Sequence, residues 1–289
     1  MPPDLRVGTY DVRMLRTASA LARSTHPGPT VAVTAITVIL GVSVGLAPWQ
    51  LIALGVAFLL GQASVGLSND WIDAERDRAV GRTDKPIAAG QLSDTAARNA
   101  AVVSATAAIA LTLPLGWAAT VAHTVFIGSA WAYNLGMKST SLSVVPYIVS
   151  FGLLPLIVTL SRSEPALASP WAILAGASLG VSAHFANVLP DLDDDRATGV
   201  RGLPHRFGPR SSGLVIAGAL AAASVSIVVM PGQAPAYLYV GLALSLALAI
   251  FCAALIVRAE PSRLLFRIII LGAILNVVML ALSGTRLLA

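Results

Sequence analysis

Asn69, Asp73 and Asp77 stand four residues apart, and the same spacing returns at Asn187, Asp191 and Asp195. Both copies run on as Asp-Arg-Ala-x-Gly, to Gly81 and Gly199. A single offset of 118 residues carries the first copy, and Pro86 beyond it, onto the second copy and Pro204. Positions four apart share one face of a helix, so each copy is a polar stripe, with Asp70 on nearly the same face as Asp73. Carboxylates this close repel and raise one another's pKa unless a cation lies between them. Mg²⁺ suits the arrangement, because it takes one or two carboxylates and completes its shell with water and phosphate oxygens. Two matched stripes therefore imply divalent cations holding a polyanion, most simply a diphosphate clamped between two helices. Arg78, Arg82, Lys85, Lys138, Arg196 and Arg201 are placed to reach phosphate oxygens that the metals leave free. Cations and metals together would stabilise the charge that builds on a departing diphosphate.

The elements that must position these stripes are membrane spans. The chain of 289 residues is 56% hydrophobic and 11% charged, against about 25% charged in soluble domains, and its mean hydropathy is +0.79. Apolar stretches bounded by Pro, Gly and charge fall at 30–47, 50–69, 97–115, 117–134, 142–160, 170–189, 212–230, 236–257 and 264–284. Each approaches the ~20 residues a span needs. The expected fold is all-α, a polytopic bundle of about nine transmembrane helices built as a four-helix pseudo-repeat. It forms one domain over 1–289, with 1–29 as a cytoplasmic segment and an interfacial helix near 9–24. With the N-terminus in the cytoplasm, seventeen of the nineteen Lys and Arg fall on the cytoplasmic side, leaving Arg162 and Arg286 outside. That bias orients the chain and places both acid clusters at the cytoplasmic face. The net charge of +5 suits anionic lipid, and no nucleic-acid-binding pattern is present. Cys252 is the only cysteine, which excludes an internal disulfide, and an Arg-rich, Ala-rich composition suggests a bacterial cell membrane.

A third polar group ends the fourth span, Tyr133-Asn134-Leu135-Gly136-Met137-Lys138, at the same face as the acids. Local evidence leaves it open between an interfacial anchor and a cavity wall. His184 shares a helix face with Asn187 and either lines the cavity or packs. Asp193, Asp194 and Glu75 lie off the stripes and read as solvated charges, and His123 and Asn276 as packing or cavity polars.

Taken together, these residues resemble a known family. Asn69-Asp70-x-x-Asp73-x-x-x-Asp77 resembles the first signature of the UbiA superfamily of intramembrane prenyltransferases, and Asp191-x-x-x-Asp195 resembles its second. The stretch from Tyr133 to Lys138 is similar to the family's tyrosine and lysine after the fourth span. The resemblance implies that Asn69, Asp70, Asp73, Asp77, Asp191 and Asp195 hold Mg²⁺ and, through it, the diphosphate of an isoprenyl donor. Asn69, Asn187, Arg78, Arg82, Lys138, Arg196 and Arg201 would face that diphosphate. Asp73, Asp191, Tyr133 and Lys138 would carry the chemistry, Tyr133 by offering its ring to an allylic cation. The prenyl tail would lie in an apolar cavity open to lipid.

Two departures bear on the acceptor. Where many members carry Arg-Pro before the first span, this chain reads Ser24-Thr25-His26-Pro27-Gly28-Pro29, and Lys85-Pro86 stands where Arg-Pro is frequent. The implied reaction is prenyl transfer to an acceptor, most commonly aromatic in this family, with release of diphosphate. The alternatives are cyclisation of the donor alone, as in terpene cyclases of the superfamily, or an acceptor carrying a sugar phosphate or glycerol phosphate. Transport is the reading from a different class, and it would require polar groups through the full membrane depth.

Overall fold

The structure, a computed structural model, describes residues 4–192, 195, 199–258 and 263–289. Its long elements are all helices: α1 (Asp4–Ser24), α2 (Pro27–Ser43), α3 (Pro48–Ile72), the short α4 (Ala74–Ala79), α5 (Asp94–Thr112), α6 (Trp117–Asn134), α7 (Val145–Leu160), α8 (Pro170–Val188), α9 (Leu203–Val228), α10 (Ala236–Arg258) and α11 (Arg263–Leu282). Proline in the first turn opens α2, α3, α7, α8 and α9, where a missing N–H costs no hydrogen bond. Ser93 caps α5, its hydroxyl accepting the Ala96 N–H at 3.2 Å.

Each of the nine predicted apolar segments falls on a helix, α2, α3 and α5 to α11 in order. By length and composition α3, α5, α8, α9 and α10 are long and apolar enough to cross a membrane, and the α1–α2 pair, bent by 63°, would make a sixth. The expectation of about nine spans is thus met as helices but not as nine of full spanning length. The helices α2 and α7 have 17 and 16 residues, about 25 Å of rise against about 30 Å of hydrocarbon.

The 118-residue offset maps elements as well as acids: α2 onto α7, α3 onto α8, α5 onto the body of α9 and α6 onto α10, with α11 left over. The turn glycines agree. Gly81 and Gly199 have φ of 72° and 82°, and Gly90 and Gly208 have 70° and 75°, a left-handed backbone that glycine adopts without steric cost. The pairing of α3 with α5 is repeated as α8 with α9.

Two hydrophobic clusters fill the bundle, one around Phe58, Phe126 and Ile157 and one around Phe185, Ile216 and Ile269, and Phe151 packs against both. Between α7 and α8 the backbones touch. A Cβ at Gly176 would lie 2.3 Å from the Phe151 carbonyl oxygen, and one at Gly180 would lie 2.3 Å from that of Tyr147. Small residues four apart allow this approach in lipid, where close packing replaces the hydrophobic drive. A third cluster of Ala20, Ala74, Ile87, Leu92 and Ala97 ties the segment after α4 to α1 and α5. That seat carries Lys85 back over the end of α3.

Candidate active site

The first acid stripe forms because the helical path does not end at Asp73. The Asp73 N–H donates to the Asn69 carbonyl at 3.0 Å, and the Asp77 N–H to the Asp73 carbonyl at 2.8 Å. Asp73 therefore joins α3 to α4 with near-helical backbone, and the three positions stay on one face. Asp70, Asp73 and Asp77 are only 2%, 6% and 3% exposed, and buried carboxylates must be paired or coordinated.

Their partners are the only two lysines of the chain. Lys138 donates to both Asp73 oxygens, at 2.6 Å to Oδ2, where Arg76 Nη2 also reaches at 3.1 Å. Lys85 Nζ lies 2.9 Å from Asp77 Oδ2 and 3.3 Å from Asp70 Oδ1. His26 Nε2 completes the set 2.9 Å from Asp70 Oδ1, presented by a left-handed backbone (φ 52°) at the α1–α2 bend. Burial pulls the Lys85 pKa down, but Asp70 and Asp77 outweigh it and the net shift is upward. For Lys138 burial wins over the pull of Asp73, and the net shift is downward.

Asn69 is held by a relay. Its Nδ2 donates to Asp73 Oδ2 and to Asn134 Oδ1, both at 3.3 Å. The Asn134 Nδ2 donates in turn to Ser68 Oγ at 2.8 Å and the Val65 carbonyl at 3.0 Å. Tyr133, one residue earlier on α6, turns its ring edgewise to Tyr147 and His184, with centroids 5.3 and 5.8 Å apart. Ser143 Oγ accepts the Leu203 N–H at 2.9 Å, so its own proton is available to His184 Nε2, 3.0 Å away. That assignment puts the ring hydrogen of a neutral His184 on Nδ1, which is buried without a partner.

The second stripe opens into the same space. A cavity of about 600 Å³ is lined by Asn69, Asp70, Asp73 and Asp77 from one half and by Asn187, Asp195 and His205 from the other, with Tyr133, Lys85 and Lys138 between them. His205 Nε2 lies 3.4 Å from Asp195 Oδ2. The side chain of Asp191, and all of Asp193, Asp194 and Arg196, lie outside the described residues. Glu75 is exposed, as its position off the stripe suggested.

Three predicted phosphate contacts are placed differently. Arg78 does not line the cavity and instead forms a fork with Asp94. It sits one residue past Asp77, about 100° further round the helix. Arg82 lines the cavity but forks onto Asp84 at 2.8 Å through Nε and Nη2, which draws the Asp84 pKa down to about 2. Arg201 is exposed and outside the lining. Conversely, His26, Arg76, Tyr147 and His205 belong to the site region although no spacing rule singled them out. His26 was visible only as the residue replacing arginine in Arg-Pro.

Among the described residues no three His, Cys, Asp or Glu side chains converge as a ready-made metal cage. Mg²⁺ does not need one, since water and phosphate oxygens supply the rest of its shell. The donor set fits: hard carboxylate oxygens, nearly buried, each now balanced by a basic side chain.

Fold and site together define a class, helical integral membrane proteins that present two related acidic motifs to one polar cavity. The UbiA prenyltransferase family matches residues 29–281, and the chain belongs to it. It is 29% identical over 167 residues to digeranylgeranylglyceryl phosphate synthase of Korarchaeum cryptofilum (strain OPF8), covering 56% of this chain and 58% of that protein. It is 30% identical over 167 residues to 4-hydroxybenzoate octaprenyltransferase of Enterobacter sp. (strain 638), covering 57% of each. Both alignments span less than two thirds of the relative's length. In three dimensions the chain is similar to a UbiA homolog from Archaeoglobus fulgidus bound to GPP and Mg²⁺, with a TM-score of 0.69, 14% identity, and coverage of 92% of this chain and 99% of that one. At that identity the likeness concerns the fold.

Proposed function

We propose that the protein is a Mg²⁺-dependent intramembrane prenyltransferase that moves a prenyl group from an isoprenyl diphosphate to an acceptor and releases diphosphate. The observation that carries this reading is the opening of both acid copies into one cavity that is continuous with an apolar one. His26, Asn69, Tyr133 and Asn187 line the polar cavity and also the neighbouring apolar cavity of about 390 Å³. A molecule with an anionic head and a hydrocarbon tail fits that pair of spaces.

Asn69, Asp70, Asp73, Asp77, Asp191 and Asp195 would hold the metal, which supplies neutralisation of the diphosphate and of the charge growing on the leaving group. Lys138 and Lys85 would exchange carboxylate for phosphate oxygens, Arg82, Arg196 and Arg201 would add cationic contacts, and Asn69 and Asn187 would bind the head group. Arg78 has the weakest case, because Asp94 already holds it. Tyr133 lies where head and tail meet, so its ring can face the allylic carbon as positive charge develops. Apolar walls keep water from that cation.

An aromatic acceptor is favoured by the wall of Tyr133, Tyr147 and His184. The N-terminus and the cavity mouth would face the cytoplasm, in a bacterial membrane. Purified protein should release diphosphate from allylic donors only with Mg²⁺, and Asp73→Ala and Asp191→Ala should each abolish that release. Full activity in both variants would sink the assignment. Donor-only incubation separates cyclisation from transfer, since only a cyclase yields hydrocarbon without a second substrate.

A further inference from the structure

We propose that Gln62, with Tyr147, recognises a neutral oxygen substituent on the aromatic ring of the acceptor. The proposal rests on the prenyl transfer reading above and narrows the class of its second substrate. Gln62 lies in the body of α3, ten residues before Ile72, or about 15 Å from the acid end at 1.5 Å per residue. It stands two helical turns before Asn69, and both line the apolar cavity of about 390 Å³, with Val65 and Gly66 between them. One face of α3 thus carries Asn69 at its end and a second amide at membrane depth.

That second amide has no partner. Thr25 and Thr30, in the same cavity wall, donate to the Ala22 and Thr25 carbonyls at 2.7 Å. Asn134 is tied to Ser68 and the Val65 carbonyl, and Ser150 Oγ lies 2.6 Å from Ser129 Oγ. Among the described residues, neither the Gln62 amide nor the Tyr147 hydroxyl makes a hydrogen bond to the protein. The hydrocarbon around the spans offers no partner either, and an unpaired polar group at such depth marks a substrate site. The prenyl tail cannot be the partner, because it is hydrocarbon throughout. A second substrate with a polar atom can. The smaller apolar cavity of about 150 Å³ gives the contrast, since no amide, phenol or charged side chain lines it among the described residues.

The cavity also restricts the charge of that polar atom. Among the described residues no Lys, Arg, Asp or Glu lines it, and its one imidazole outside α8, that of His26, is engaged by Asp70. A carboxylate or phosphate beside Gln62 would be buried without a counter-ion. A hydroxyl or carbonyl would satisfy an amide, which both donates and accepts. Phe126, Tyr133, Tyr147 and Phe151 supply aromatic faces to the same space. An acceptor ring with its reacting carbon at Tyr133 would turn a second oxygen away from the acid site, toward Gln62.

Purified protein with Mg²⁺ and geranyl diphosphate is offered 1,4-dihydroxybenzene, 4-methylphenol, which lacks the second oxygen, or 4-hydroxybenzoate, which places an anion there. Product mass and acceptor kcat and KM are measured for wild type, Gln62→Leu, Gln62→Asn and Tyr147→Phe. Inorganic diphosphate binding and thermal unfolding report the head-group site and the fold. Wild type should prefer dihydroxybenzene over methylphenol by about tenfold in kcat/KM, the scale of one hydrogen bond. Gln62→Leu should erase that preference by raising the KM for dihydroxybenzene, Gln62→Asn should recover part of it, and Tyr147→Phe should weaken it. The unfolding temperature of Gln62→Leu should hold or rise, since no hydrogen bond within the protein is lost. An unchanged preference in Gln62→Leu overturns the proposal, as does wild-type preference for 4-hydroxybenzoate. Prenylation of none of the three by wild type that binds geranyl diphosphate also overturns it. So does a Gln62→Leu variant that melts early and no longer binds inorganic diphosphate, because the amide would then serve the fold. Failure of wild type to bind either diphosphate is the separate result that removes the parent reading.

Discussion

Lys85 and Lys138 divide three buried carboxylates between them, and their partners suggest different duties. Lys138 occupies both oxygens of Asp73, the residue where α3 joins α4, and sits beside Tyr133 in the cavity wall. Lys85 bridges Asp70 and Asp77 from the segment after α4. Lys138→Met would strip Asp73 of its closest cation and leave one fewer positive group near the diphosphate. Diphosphate release should fall about 100-fold, the usual effect of deleting one preorganised donor, while Lys138→Arg should recover part of it. Lys85→Arg keeps the charge and adds a fork suited to carboxylate and phosphate, so turnover should stay within a few-fold of wild type. Steady-state assays of the three variants decide this. Equal damage from Lys85→Arg and Lys138→Met would show that the two lysines do not differ in role.

Helix pairs explain what could be read in advance and what could not. The acid stripes were legible because carboxylates at i, i+4 and i+8 imprint the helix period on the sequence, and the 118-residue offset carried that register through the turn glycines. Single residues carry no period, which is why Tyr147 and His205 were found only by packing and His26 showed only as a departure from Arg-Pro. The repeat itself conceals an asymmetry. By the same offset Asp70 corresponds to Val188, His26 to Val144, Lys85 to Leu203 and Lys138 to Ile256. Among the described residues, His26 and both lysines that pair with the acids thus belong to the first half, and the second half has apolar residues at those positions, with His205 beside Asp195. At α2 and α7 the apolar stretches form helices shorter than a full span, because apolarity reports burial in lipid or protein alike.

The α7–α8 seam is likewise a contact between two helices. Gly180→Leu puts a side chain where even a Cβ would meet the Tyr147 carbonyl, so the helices must separate, at about 1–3 kcal/mol for an overpacked contact. Gly218→Ala in α9 is the control, because a Cβ there meets nothing within 4 Å and alanine favours helix by about 1 kcal/mol. Thermal unfolding in detergent should drop for the first variant and hold or rise for the second. Matching melting curves would mean that the seam carries no load.

For the whole molecule, the distribution of polar groups across depth separates catalysis from passage. The acid cavity gathers the ends of α3, α6 and α8 and the start of α9 at one end of the bundle. Several polar residues deeper in the bundle are paired locally, although His123 Nε2 is buried without a hydrogen-bond partner. Thr112 Oγ1 lies 2.8 Å from His123 Nδ1, Ser224 donates to Asn276 Oδ1 at 2.8 Å, and Asn276 donates to Ser245 at 3.2 Å. None of these five lines the acid cavity or either apolar cavity. A continuous polar route of the kind a transporter needs is not formed by them, whereas a site entered from one face is.

That geometry makes sidedness testable. If basic residues orient the chain by the positive-inside rule, the acid end faces the cytoplasm. Cys252, the one native thiol, is fully buried and gives little background to a membrane-impermeant maleimide. Thr83 at the acid end and Ser163 at the opposite end are both exposed, so Thr83→Cys and Ser163→Cys report opposite faces. In intact cells Ser163→Cys should label and Thr83→Cys should not, with the pattern exchanged in inverted vesicles. The reverse pattern would put the acid cavity outside, and the positive charges near its mouth would then need an explanation other than topology.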